Sequence, residues 1–416
     1  MNKTVLQKML RPAALAVAAA PLFAAVPALG QEAIRIISHR QPALEYYTSQ
    51  MAAALPAGEV NVELMPIDRQ MELASIAMSS QSDSVDVVYL NDSMLLRFAK
   101  NGWLEPLDDL WEKYREQYKL DDFPQSVIDA VTYDGHIYAM PIQTNVELFY
   151  YRADVLAEAG VEPPTTMDEY AAAAQTLHSP RMAGTIMTMK PVDATLNETH
   201  WYLNALGDGW FDENAKPVFN SAANVAAIEA MKDMSAFAAR GFTAHGNDES
   251  TINLQQGLAA MGMQWLTRAA AMDNPEQSRV VGKIDWIAPP DGGARIANDG
   301  FAISAFSSKD REKMFVVLAE AASQASMREG AQYSLPPRLS VLEDPELSEK
   351  YRWYPAAREA LQTGVPFPAI PDFLDAGEIM SRYILQAVTG ELETQAAMDS
   401  AAAEVEAFLA GRGYYQ

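Results

Sequence analysis

The chain of 416 residues contains no cysteine. Disulfides, thiolate metal sites, a cysteine nucleophile and lipid attachment at an N-terminal cysteine are all excluded with it. Basic residues are scarce: 31 Lys and Arg stand against 55 Asp and Glu, a formal charge of −24. Nucleic acid draws much of its affinity from basic contacts with phosphates, and anionic membranes attract basic segments, so neither is expected as a partner. Histidine is limited to His39, His136, His178, His200 and His245, with no HExxH pair or other metal-ligand spacing. The GxSxG, GxxxxGK(S/T) and GxGxxG signatures are also missing, and no cofactor or metal is expected. Acid pairs such as Asp108-Asp109 and Asp121-Asp122 fit solvated helix caps better than a catalytic dyad. No enzyme is expected from these residues.

Long hydrophobic runs are confined to the N-terminus. Residues 1–12 carry Lys3, Lys8 and Arg11 and no acid; an Ala-rich apolar run follows, then Ala28-Leu29-Gly30. This is the order of a secretory signal peptide, with small residues at the −3 and −1 positions and cleavage expected after Gly30, Ala33 being the margin. Its removal takes three basic residues with it and shifts the formal charge from −24 to −27. Export without lipidation points to a periplasm. The remaining roughly 386 residues suffice for two or three domains. Their dispersed acidity serves solubility.

Strand and helix signals alternate along the mature chain. Residues 33–39, 60–67 and 85–90 read as strands, the second with Val60, Val62 and Leu64 alternating and the third as a continuous apolar run. Helical patterns at 42–55, 68–80 and 91–102 follow them, and the β-α-β-α-β-α order argues for a parallel sheet covered by helices. Asp134-Gly135 predicts a tight hairpin turn, and Thr166 with Glu169 predicts a capping box. Further strands are expected at 184–189, 258–263, 281–290 and 300–304, and helices at 221–241, 309–327 and from about 344 onward. The stretch 135–156, GHIYAMPIQTNVELFYYRADVL, reads as one buried strand interrupted by Gln143, Thr144 and Asn145. Unpaired polar groups are costly to bury. Two α/β units lie on either side of Met140-Pro141, and a crossing between two lobes at 143–145 accounts for the polar break.

Five stretches, in this order, resemble the extracellular solute-binding proteins of ABC transporters, in the carbohydrate-binding branch that includes maltose-binding protein. They are SVDVVYLND (84–92), the hairpin and crossing of 135–170, LQQGLAAMGMQWLTRAA (254–270), NDGFAIS (298–304) and SLPPRLSV (334–341). The resemblance covers nearly all of the mature chain. It implies an α/β two-lobed periplasmic-binding-protein fold of type II, each lobe an open, mostly parallel sheet flanked by helices. The expected lobes are 31–142 with 296–337 and 146–290 with 341–416, crossing at 143–145, 291–295 and 338–340. It also implies a sugar or oligosaccharide held in the interlobe cleft, delivery to a membrane permease, no catalysis and a monomeric state.

Sugar sites stack aromatic faces on the C–H patches of a pyranose and hydrogen-bond its hydroxyls with fixed polar groups. Trp265 is the expected aromatic, at the carboxyl end of a strand where open α/β sheets place ligands. Asp92 and His39 also follow strand ends, Asp92 alternatively being a helix cap, a role that Asn91 is equally able to take. Asn145 and Thr144 are expected to face the cleft from the first crossing. Asp299, Gly300 and Phe301 belong to the strand reached through the second, with Gly300 allowing close backbone approach. Arg338 follows Pro336-Pro337 near the third and has a fork suited to hydroxyls or an anionic substituent. Trp201 and Trp210 are weaker candidates on the rim. The competing readings are a binding protein of the same fold for a polyamine, a peptide or an anionic or sulfonated sugar, and a periplasmic glycan hydrolase or lyase.

Overall fold

The computed structural model describes residues 33–415; the signal peptide expected at 1–30 lies outside them. Strands β1 (Ile34–His39), β2 (Val60–Met65) and β3 (Val87–Leu90) are joined by helices α1 (Pro42–Ala53) and α2 (Ile67–Ser79), and β3 leads into α3 (Asp92–Lys100). The alternation seen in the sequence accounts for them. Pro42 stands in the first turn of α1 and needs no backbone donor there. Leu44, Tyr47 and Met51 bury one stripe of α1. β2 and β3 both pair with β1 in parallel, as the crossovers require.

The hairpin β4 (Thr132–Tyr133) and β5 (His136–Ile137) turns on Asp134 and Gly135, both with positive φ (48° and 81°), which the tight turn demands. It leads into β6 (Ala139–Arg152), a single 14-residue strand that contains the polar break. β7 (Met261–Trp265), β8 (Ile284–Ile287) and β9 (Ile296–Ile303) complete the main sheet, ordered β2-β1-β3-β9-β6-β7, with β8 also on β6.

β6 is shared by two groups of strands. Its first half, Ala139 to Val146, pairs antiparallel with β9, whose far end pairs with β3. From Glu147 onward it pairs antiparallel with β7, and from Phe149 also with β8. The parallel pattern therefore belongs to β1–β3, and every strand pairing made by β6 is antiparallel. Residues 184–189, expected as a strand, make only an isolated parallel bridge from Thr185 to Ala238, with a second, Ala183 to Ala259, just before them. The helix expected over 309–327 is broken: Arg311–Ala321 ends, and the Ser323 side chain accepts from the Ser326 N–H to start a second helix at Gln324. Thr166 and Glu169 form the predicted capping box. Among the described residues no helix is long and apolar enough to cross a membrane.

Candidate functional site

Side chains alternate across β6. Asn145 points into a small cavity of about 50 Å³, and Thr144 points to the opposite face, into a second cavity of about 520 Å³. The small cavity lies where strand ends and helix starts from both strand groups converge. His39 closes β1, Gln41 precedes α1, and Tyr89 and Asn91 end β3. Across from them stand Trp265 at the end of β7, with Thr267 and Arg268 just beyond it. Asp193 and Asn247, each the first residue of a helix (Asp193–Leu206 and Asn247–Gln255), complete that wall. Asp299 and Arg295 come from β9 and the residue before it. A wider space of about 270 Å³ shares His39, Ile67, Asp193, Asn247 and Arg268 with the small cavity and forms its mouth. An ion pair between Lys190 and Asp68 spans that mouth.

Arg295 is the electrostatic centre. It is only 2% exposed. Its Nη2 donates to Asp92 Oδ1 at 2.6 Å and its Nη1 to Asn197 Oδ1 at 2.8 Å. The guanidinium lies 3.7 Å over the Phe367 ring and 5.6 Å from the Trp265 centroid. Burial works against its charge, but the carboxylates of Asp92, Asp193, Asp299 and Glu147 more than offset that and hold it protonated. The Arg295 N–H donates to the Glu147 carboxyl at 3.1 Å. Burial pushes the Asp299 carboxyl up to about 7, although the Gln143 amide donates to it at 2.6 Å. Burial, together with the nearby Arg268, lowers His39 to about 3, so its imidazole is neutral at physiological pH.

Three buried polar atoms on residues that line this cavity have no protein partner: Gln41 Oε1, Asn145 Oδ1 and Arg295 Nε. Buried polar groups are ordinarily hydrogen-bonded. Two orphan acceptors and one orphan donor in one cavity fit a ligand that both donates and accepts, as hydroxyl groups do.

Of the residues expected from sequence, His39, Asn145, Trp265 and Asp299 meet at this cavity. Thr144 and Asp92 line the larger cavity instead. The Thr144 hydroxyl donates to Asn298 Oδ1 at 2.8 Å, and Asp92 supports Arg295 from behind. Asn91, not Asp92, caps α3 by accepting from the Met94 N–H. Gly300 does not line the site. A Cβ there would lie 2.8 Å from the Met140 carbonyl oxygen, so the glycine serves the close approach of β9 to β6. Arg338 is likewise displaced from the expected role. Fully buried, it donates to the carbonyls of Ala322, Lys119 and Tyr118 and stacks on Phe123, which leaves no free fork for a solute. Trp201, Trp210 and Phe301 are core residues, none more than 3% exposed; the Trp201 and Trp210 indoles donate to Pro290 O and His200 Nδ1. Arg295, Arg268, Asp193, Asn247, Gln41 and Tyr89 were not singled out from sequence. Asp193 and Asn247 stand in the first turns of their helices, where polar residues are ordinary, and nothing in the local pattern distinguishes Arg295 from a surface arginine.

The sequence profile of the bacterial extracellular solute-binding proteins matches residues 45–325. The "Probable amino-acid ABC transporter periplasmic-binding protein y4oP" of Sinorhizobium fredii is 28% identical over 71% of this chain and 70% of its own length. The mannitol-binding protein of Pseudomonas aeruginosa is 22% identical over 81% and 83%. Among solved structures, maltose-bound MalE3 of T. maritima superposes with a TM-score of 0.82 at 23% identity, covering 90% of this chain and 99% of that one. This likeness gives the chain the two-lobed solute-binding-protein fold.

Proposed function

The chain belongs to the bacterial extracellular solute-binding protein family, and we propose that it is the receptor of an ABC importer, holding a sugar or sugar alcohol between its lobes and delivering it to the permease subunits. The lobes are 31–142 with 296–337 and 146–290 with 341–416, linked at 143–145, 291–295 and 338–340. The protein works as a monomer in the periplasm, unlipidated, after cleavage behind Gly30, and it releases its solute chemically unchanged.

The single observation that carries the solute class is the trio of buried, unpartnered polar atoms, Gln41 Oε1, Asn145 Oδ1 and Arg295 Nε, on residues that line, with Trp265, a cavity walled by both strand groups. A hydroxylated ligand satisfies both acceptors and the donor at once, and a site with such groups rejects analogues that leave them unpaired. The mannitol-binding relative and the maltose-bound structural neighbour support the same class. The change of β6 partners at Val146 and Glu147 supports a crossing there.

A thermal-shift screen of sugars, sugar alcohols, amino acids, peptides and polyamines, with chromatography of the recovered solute, tests this. A bound solute raises the melting temperature by mass action. The expected result is saturable stabilisation by a sugar or sugar alcohol that is recovered intact. Stabilisation only by amino acids, peptides or polyamines refutes the solute class, and an altered product refutes the receptor role.

A further inference from the structure

Charge and aromatic surface within the cavity narrow the solute further, given the sugar-receptor reading above. Every charged side chain at its wall already has a protein partner. Arg295 is paired with Asp92 at 2.6 Å and Arg268 with Asp248 at 2.9 Å. Asp299 accepts from Gln143 at 2.6 Å, and Asp193 from Asn197 at 3.2 Å. In the mouth, Lys190 is paired with Asp68, and Glu249 accepts from the Gly246 N–H. Each cation is thus held by a carboxylate, whereas the donors to Asp299, Asp193 and Glu249 are neutral. A carboxylate, phosphate or sulfonate on the solute would therefore enter without a free cation, and burying an unpaired charge is heavily unfavourable.

The aromatic surface is equally restricted. A pyranose needs a flat face against which its axial C–H groups lie, and a row of sugar units needs several such faces. Trp265 is 7% exposed, with the Arg295 guanidinium 5.6 Å from its centroid, so only a sliver of the ring meets the cavity. Tyr89 is 4% exposed and packs edge-on against Phe301 at 5.9 Å. The mouth, through which a longer glycan would extend, is lined by no Trp, Tyr or Phe. Apart from Ile67, Ala297 and those two rings, each side chain lining the inner cavity carries a hydrogen-bonding group. The space is small, about 50 Å³ inside and 270 Å³ at the mouth.

We infer that the solute is a single open-chain polyol without an anionic group, and that pyranosides, oligosaccharides and acidic derivatives are rejected. An open-chain polyol has no flat C–H face to stack. It carries a hydroxyl on each carbon, so it matches a narrow wall that hydrogen-bonds on every side.

Calorimetric titration of the purified protein with the complete sets of pentitols and hexitols decides this. The same titrations use methyl pyranosides, disaccharides and aldonates. At least one alditol is expected to bind, and to do so at least about tenfold tighter than any methyl pyranoside or aldonate, with no heat from disaccharides. A pyranoside or disaccharide that binds as tightly as the best alditol overturns the inference and leaves the sugar receptor standing, as does tight binding of an aldonate. Absence of binding across the whole panel overturns both.

Discussion

Asn145 shows how one side chain separates function from stability. Its Oδ1 is buried with no partner in the protein, so truncation forfeits no hydrogen bond made by that oxygen in the unliganded state. Asn145→Ala is expected to change unfolding free energy by less than about 1 kcal/mol, while solute affinity falls by about tenfold or more; urea denaturation and calorimetry read the two effects separately. Asp299 gives a pH-dependence of defined sign. Burial raises its folded-state pKa from 3.8 to about 7, so between these values the folded state binds the proton more than the unfolded state does. Stability contributed by this group then falls as pH rises from about 4 to about 7. Asp299→Asn, which does not titrate, is expected to flatten that part of the curve. An unchanged slope in denaturant titrations at a series of pH values would contradict this. His39 and Trp265 were visible as candidates because strand ends are visible. Arg338 misled because a guanidinium after a Pro-Pro turn looks the same in sequence whether it meets a solute or three buried carbonyls.

At the scale of elements, local chemistry predicted well wherever the controlling groups are neighbours in the chain. The Thr166–Glu169 capping box, the Asp134-Gly135 turn and the strands β1 and β2 all depend on residues within a few positions of one another. The segment 184–189 and the broken helix near Ser323 were misjudged, since bridge partners at Ala238 and Ala259 are set by packing far along the chain. Gly300 belongs to this scale. Its role is the approach of β9 to β6, where an added Cβ would meet the Met140 carbonyl oxygen at 2.8 Å. Gly300→Ala should therefore destabilise the protein by roughly 1–3 kcal/mol with solute affinity per folded molecule preserved; a thermal melt together with calorimetry checks both halves.

Over the whole molecule, the two strand groups communicate through β6 and β9 and meet again at the mouth through Lys190 and Asp68. That pair is about half exposed on both sides, and exposed pairs contribute at most about 1 kcal/mol. Lys190→Met is accordingly expected to weaken solute affinity by no more than about fivefold at low salt, with the difference from the unsubstituted protein shrinking at high salt as screening sets in. Titrations at two ionic strengths read this directly. The order of strands and helices, the polar break at Gln143 to Asn145 and the likeness to solute-binding proteins followed from the amino-acid sequence, because periodicity, caps and turns are written in adjacent residues. The convergence of Gln41, Asn145, Asp193, Arg268 and Arg295 on one cavity was decided only in three dimensions. So were the partners that neutralise each charge there, because packing brings together groups that no local pattern connects.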